Sequence, residues 1–354
     1  MKLRHVFLSV IIMGLSISCS NDDDNGKGNE PSGAYENGIL ISNEGPFSNG
    51  SGTISFISHD LSVVENGIFK NINKEDLGNV VQSIGFTGDE AFIIANVSNK
   101  INVVNRNTFE KVGSITAGLL NPRYFTASNG KGYVTNWGDP NDETDDFVAI
   151  IDLQDYKVEA IIPVDFGPET IVTKGTTIYV AHQGGYGQNN KVSVINTVTD
   201  EVIKTIAVGD APNSMELDAT GNLWVLASGK PGYTQDETGG MLSKINTVAN
   251  EVATTFQFET VQHPGLLKIE GSGLYFYLGD TVYKQDISAI DLSMEVVLKA
   301  PGFYTMAINN GRLYATDAAD FASNGTLTVY DLSTKEAIQT LSVGIIPGGV
   351  YFNR

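Results

Sequence analysis

From Glu36 onward, apolar and polar residues alternate with period two over short runs, and turn residues break the pattern every eight to twelve positions. That is the pattern of short antiparallel strands, and no segment of helical period stands out beside it. One apolar triplet recurs along the chain: Ile39-Leu40-Ile41, Phe92-Ile93-Ile94, Gly132-Tyr133-Val134, Ile178-Tyr179-Val180, Leu223-Trp224-Val225, Leu274-Tyr275-Phe276 and Leu313-Tyr314-Ala315. Seven units over residues 37–354 average about 45 residues each, the length of a four-stranded propeller blade. The spacing therefore predicts an all-β chain, a seven-bladed β-propeller of four-stranded antiparallel blades.

Each unit repeats one order. An inner strand such as Ser214-Met215-Glu216-Leu217 leads through a turn to the recurring triplet. A variable loop follows, then a strand such as Val192-Ser193-Val194-Ile195, then a last strand such as Val202-Ile203-Lys204-Thr205-Ile206. Units end in Gly-x-x-Pro, as in Gly209-Asp210-Ala211-Pro212, where Gly permits an unusual backbone angle and Pro blocks further ladder pairing. The first unit starts at its triplet with no inner strand before it, whereas the C-terminus carries an unused one at Val350-Tyr351-Phe352. Val350 and Phe352 correspond to Met215 and Leu217, so the last residues are expected to complete blade one and leave the ring without a long open edge.

Upstream of the repeats, Lys2 and Arg4 precede an apolar run over residues 6–15 that suits a secretory signal. The run ends in Leu15-Ser16-Ile17-Ser18-Cys19, which resembles a lipobox, with Ser16 where that motif prefers leucine. Three segments follow from this reading: residues 1–18 as a lipoprotein signal peptide, 19–36 as a lipidated acidic and Gly-rich tether, and 37–354 as the propeller. Cys19, the only cysteine, is the expected lipidation site, and its solitude excludes a disulfide framework or a cysteine metal cluster. Asp22, Asp23 and Asp24 directly after it resemble the export signal of surface lipoproteins in Bacteroidota, which implies a lipid-anchored protein on the exterior of the outer membrane. The formal net charge of −19 repels phosphate backbones and makes nucleic acid a poor partner.

Tyr133-Val134-Thr135-Asn136 spells the motif of the YVTN propeller repeats, and Val194-Ile195-Asn196-Thr197 is similar to the next strand of that family. The resemblance covers nearly the whole mature chain and implies the fold.

Loops after the triplet strands are long and uneven (43–53, 96–100, 136–147, 182–191, 227–241, 278–282, 317–327) and are expected on one face, together with the turns at Pro122, Pro168, Pro212, Pro264, Pro301 and Pro347. Uneven loops on a rigid scaffold are where binding concentrates. They bring together the candidate ligand-binding residues Asn43, Asn96, Arg123, Tyr124, Asn136, Trp137, His182, Tyr186, Asn213, Tyr233, His263, Tyr304 and Phe321. Phe47, Phe166, Gln262 and Phe303 fall on the same side. Aromatics give broad apolar contact and amides give donors and acceptors, which suits a large, partly apolar, amide-bearing molecule. No HExxH, GxSxG or phosphate-cradling loop occurs, so no catalytic residue and no catalytic cofactor is expected. The acidic loop with Asp139, Asp142, Glu143, Asp145 and Asp146 has oxygens enough for calcium but not the spacing of a known calcium loop, and it reads as a solvated acidic loop.

A surface-lipoprotein signal, an acidic YVTN-like propeller and an aromatic-amide face together resemble the BtuG-type cobalamin-binding lipoproteins. That resemblance implies capture of cobalamin (vitamin B12) and its transfer to a BtuB-type TonB-dependent outer-membrane transporter. Two other classes stay open: a surface adhesion propeller binding glycan or protein, and a metal-dependent propeller lactonase.

Overall fold

The seven recurring triplets lie in seven strands, Gly38–Asn43, Glu90–Ala95, Lys131–Asn136, Thr177–His182, Leu223–Ala227, Gly273–Leu278 and Arg312–Asp317. Most are buried on both faces, because each is the second strand of a blade stacked between two neighbours; hence their near-continuous apolar runs. Outermost strands instead meet solvent and alternate, as Glu201–Ala207 does. The computed structural model describes residues 33–354 apart from 48, 49 and 140; Cys19 and the expected signal lie outside the described residues.

Seven four-stranded antiparallel sheets form the ring, a seven-bladed β-propeller. Blade one is built of Pro347–Asn353, Gly38–Asn43, Thr53–Ser58 and Val64–Asn66, in that order from the centre outward. Ile41 pairs with Val350 and Ile39 with Phe352, as Val225 pairs with Met215 and Leu223 with Leu217 in blade five. The C-terminal strand therefore completes blade one in the predicted register. Side chains join the same seam: Ile39, Ile41 and Ile57 of blade one pack with Tyr314, Leu327 and Val329 of blade seven. The other apolar clusters also bridge neighbouring blades, and Phe92 of blade two stacks on Phe125 of blade three at 4.2 Å.

Three departures have physical causes. The short helix Ile68–Asn73 buries Ile68 and Phe69 beside blade one, whose outermost strand is only three residues long. Tyr35, which the sequence places in the tether, is buried against Phe56 and Phe109, and Asn353 donates to its carbonyl at 2.7 Å. Outside blade six, the left-handed residue of the inter-blade turns is the one directly before the proline position, as at Val80, Asn121, Gly167, Ala211 and Ile346, whereas blade six has it at Leu266 instead, and neither Gly209 nor Gly344 has positive φ. Gly344 is required by proximity instead: a Cβ there would stand 2.6 Å from Asn43 Cγ. Pro301 is two residues early, and Phe303 occupies the proline position of blade seven.

Candidate functional site at the channel mouth

Two residues before the blade-packing anchor of each innermost strand (Ile84, Phe125, Ile171, Met215, Leu267, Met306, Val350; Ile171 and Val350 half-buried, the others buried) stands one residue per blade at the loop-side end of the central channel. These are Gln82, Arg123, Glu169, Asn213, Gly265, Tyr304 and Gly348. The loops after the second strands and the inter-blade turns surround this ring, on one face as predicted.

Arg123 and Glu169 occupy the same position in adjacent blades and pair directly. Arg123 Nε donates to Glu169 Oε2 at 2.9 Å and its Nη2 to Oε1 at 2.7 Å. Burial alone pulls the guanidinium's pKa down, but Glu169 outweighs it and the net shift is upward. Trp137 closes over the pair with the guanidinium carbon 4.0 Å from the ring, and Tyr186 meets Trp137 edge-on at 6.1 Å. Across the channel, Tyr304 donates its hydroxyl to Glu44 Oε1 at 2.7 Å, with Phe321 edge-on at 5.8 Å. Burial pushes the Glu44 carboxyl pKa up, against the lowering influence of Tyr304 and Arg123. Burial likewise raises that of Tyr124, which lines the channel below.

The candidate amides do not belong to an exposed surface. Asn43, Asn136 and His182 are one repeat position, the last residue of the second strand, opposite Pro347, Pro122 and Pro168, and all three are buried. Asn43 Oδ1 accepts from the Gly344 N–H at 3.0 Å and Asn136 Oδ1 from Leu120 N–H at 3.0 Å, so each fastens the incoming turn of its own blade. His182 Nε2 hydrogen-bonds Ser193 Oγ at 2.8 Å, the partner position to Ser55 beside Asn43. Burial drops its pKa to about 4, leaving a neutral imidazole at ordinary pH. Asn96 donates to the Pro122 carbonyl at 3.1 Å and Asn213 to that of Pro264 at 3.0 Å, both tying one blade to the next. His263 is spent on the loop 227–241, meeting Ser228 O at 2.8 Å and Glu237 Oε1 at 3.0 Å. Phe166 and Phe303 are packing residues, Phe303 stacking on Tyr277.

Exposed aromatics tell the opposite story. Phe47 is 72% exposed, Tyr186 72%, Tyr233 82% and Phe321 58%, each on a different loop of this face. Among the described residues, the remaining large exposed apolar side chains are not aromatic. Tyr233 rides on the 3-10 turn Gly232–Thr234.

In the acidic loop, Asp139 and Asp142 cap local turns through their own backbone neighbours. Asp146 is not solvated: it is 2% exposed, accepts from Gly167 N–H at 3.2 Å, and burial raises its pKa to about 7. Among the described residues, no group of three or more His, Cys, Asp or Glu is arranged to hold a metal ion.

The sequence reading missed Glu44 and Glu169. Glu169 was available from repeat alignment, as the residue after the turn proline in the blade next to Arg123. Glu44 carried no such signal, because it follows the second strand and reaches Tyr304 only when the ring closes.

Fold and ring together define a β-propeller whose loop face opens on a narrow polar channel. Its sequence belongs to the family described as a domain of unknown function, DUF5074, matched over residues 37–343. The matched region stops short of the strand that closes blade one. No curated protein matches the chain in sequence. Among solved structures, the chain is similar to a periplasmic gluconolactonase of Pseudomonas aeruginosa (TM-score 0.65, 12% identity, covering 90% of this chain and 99% of that one). It is similar as well to a quinoprotein alcohol dehydrogenase-like protein of Bacteroides thetaiotaomicron (0.62, 13%, 90% and 79%). A third is BamB of Moraxella catarrhalis (0.52, 13%, 86% and 82%). At these identities the likeness is one of fold alone.

Proposed function

We propose that this protein is a binding protein, not an enzyme, that captures cobalamin or a related corrinoid on its loop face and delivers it to a TonB-dependent outer-membrane transporter. In this reading Cys19 carries the lipid anchor and the propeller faces the cell exterior. One observation carries it: the four exposed aromatic side chains Phe47, Tyr186, Tyr233 and Phe321 stand on four loops of a single face. Exposed aromatics cost solubility and are kept where they contact a partner.

Ligand size supports a surface mode. The channel cavity measures about 200 Å³, below the several hundred Å³ typical of drug-sized ligand pockets. A broad macrocycle therefore lies across the mouth on the aromatic rim, with its amide arms reaching polar groups beneath. The chain is acidic overall, with a formal net charge of −19, which suits quick encounter with a basic surface on the transporter.

Changing Tyr186, Tyr233 and Phe321 together to Ala tests the placement. Cobalamin binding measured by equilibrium dialysis should fall at least a hundredfold while the melting temperature stays within a few degrees. Undiminished binding would move the ligand off this face.

A further inference from the structure

The loops of blades three and four are tied together through a buried carboxyl. Asp146 ends the blade-three loop, immediately before the strand Phe147–Asp152, and is 2% exposed. Its backbone carbonyl accepts from Val164 N–H at 3.1 Å and its Oδ1 from Gly167 N–H at 3.2 Å, so it grips the turn between the two blades at both ends. The Gly167 carbonyl in turn accepts from Gln183 N–H at 2.9 Å and Gly184 N–H at 3.4 Å, where the blade-four loop begins. Contact there is backbone to backbone: Gly167 has a φ of 67°, and a Cβ on it would stand 2.1 Å from Gly185 N. Asn189 Nδ2 fastens the far end of that loop to the Phe166 carbonyl at 2.8 Å. Between these ties Gly187 N–H closes on the Gly184 carbonyl at 2.6 Å and presents Tyr186, which meets Trp137 edge-on at the start of the loop that Asp146 ends.

Little offsets a negative charge at this carboxyl. Asp146 Oδ2 is closed off from solvent and has no hydrogen-bond partner among the described residues. Burial raises the pKa to about 7, and Asp145 and Asp142 on the same loop and Asp165 on the turn act in the same direction, against the one N–H of Gly167. The nearby cations are engaged elsewhere: Lys191 on the third strand of blade four pairs with Asp165 at 2.7 Å, and Arg123 pairs with Glu169 on the first. His182 on the second strand is neutral at ordinary pH. An ionised Asp146 must therefore find water, and water reaches Oδ2 only when the turn and the loops beside it move.

We propose that Asp146 is a proton-controlled latch on the loop face: neutral, it keeps the blade-four loop docked with Tyr186 against Trp137, and ionised, it lets that loop go. The element that moves is 183–190, because its ties to the rest of the blade run through Phe166 and Gly167, in the turn that Asp146 holds. Release parts Tyr186 from Trp137 and so turns the titration of one carboxyl into a change in the shape of the face. The latch needs no ligand and stands whether or not the face takes cobalamin.

Hydrogen exchange of the purified chain between pH 6 and pH 8.5, corrected for the intrinsic rate, tests this on the peptide covering 183–190. Acrylamide quenching of Trp137 is the second readout, since Trp224, the other tryptophan, is buried in blade five. As pH rises, protection of that peptide should fall about tenfold while blades six and seven keep theirs, and quenching of Trp137 should increase with the same midpoint. Asp146→Asn, which keeps an oxygen for Gly167 N–H and cannot ionise, should stay protected throughout. Charge variants separate a titrating latch from a structural contact: Asp165→Asn should move the midpoint down and Lys191→Met should move it up, each by about half a pH unit or more. Protection that is independent of pH in the parent, or lost equally in every blade, would overturn the proposal. So would a parental pH response in Asp146→Asn or, should that variant not fold, midpoints left in place by both charge variants.

Discussion

Arg123 of blade three and Glu169 of blade four form a two-bond ion pair across adjacent blades, 2.9 and 2.7 Å long, under the ring of Trp137. The pair is a strut of the channel mouth, and its charges are engaged with one another. Removing one partner strands a nearly buried charge, so Glu169→Gln should destabilise the fold by about 3 kcal/mol. Replacing both, Arg123→Met with Glu169→Leu, should recover most of that loss. A chemical-denaturation cycle on the four proteins checks it; an unaffected Glu169→Gln would mean that the pair holds nothing.

The shared repeat position of Asn43, Asn136 and His182 makes a substitution rule. His182→Asn should fold nearly as well as the parent, since two other blades use asparagine there. His182→Ala, which leaves Ser193 Oγ without its partner, should cost ~1–3 kcal/mol. The imidazole also sets a pH dependence. Its folded pKa of about 4 lies below its ordinary value of 6.5, so the unfolded chain takes up a proton that the native state refuses. Stability from this group is complete above pH 6.5 and is lost as pH falls toward 4. Urea melts at pH 7 and pH 5 should show that loss in the parent and less of it in His182→Asn.

Asp146 titrates in the other sense. Its folded pKa of about 7 lies above the ordinary 3.8, so the native state holds the proton longer than the unfolded chain, and the ionised carboxylate is a burden at neutral pH and above. Asp146→Asn should stabilise the protein at pH 8, on the order of a few kcal/mol, with the gain shrinking as pH falls and vanishing near 4. Melting temperatures across that range decide it; a gain that grows toward low pH would contradict the burial of this carboxyl.

Ring closure predicts the outcome of a short truncation. Deleting residues 347–354 removes the innermost strand of blade one and exposes the ladder of Gly38–Asn43 and the seam packed by Val350 and Phe352. The shortened chain should aggregate or lose its cooperative transition on heating. A parental melting temperature would show that blade one stands without that strand.

Much of this fold was legible because stacked blades bury both faces of their second strands, turning each into an apolar run such as Phe92-Ile93-Ile94 that recurs in register. The closing strand was legible because its partner unit visibly lacked one. The site was legible only as a face. Loop aromatics such as Tyr186 and Tyr233 are exposed on their loops as expected, since a loop tip has little to pack against. Asn43, Asn136 and His182 were read as ligand groups because sequence marks them as polar residues at a strand end, and only the close approach of Gly344 or Leu120 shows where their bonds go. Pairings across the ring, Glu44 with Tyr304 above all, join residues 260 positions apart and leave no local trace.

The central claim is ligand capture by the loop face, and titration of the purified chain with cyanocobalamin tests it most directly. Calorimetry should give saturable one-to-one binding that is lost when Tyr186, Tyr233 and Phe321 are Ala. No heat and no retention of cobalamin by the folded parent protein would contradict the account.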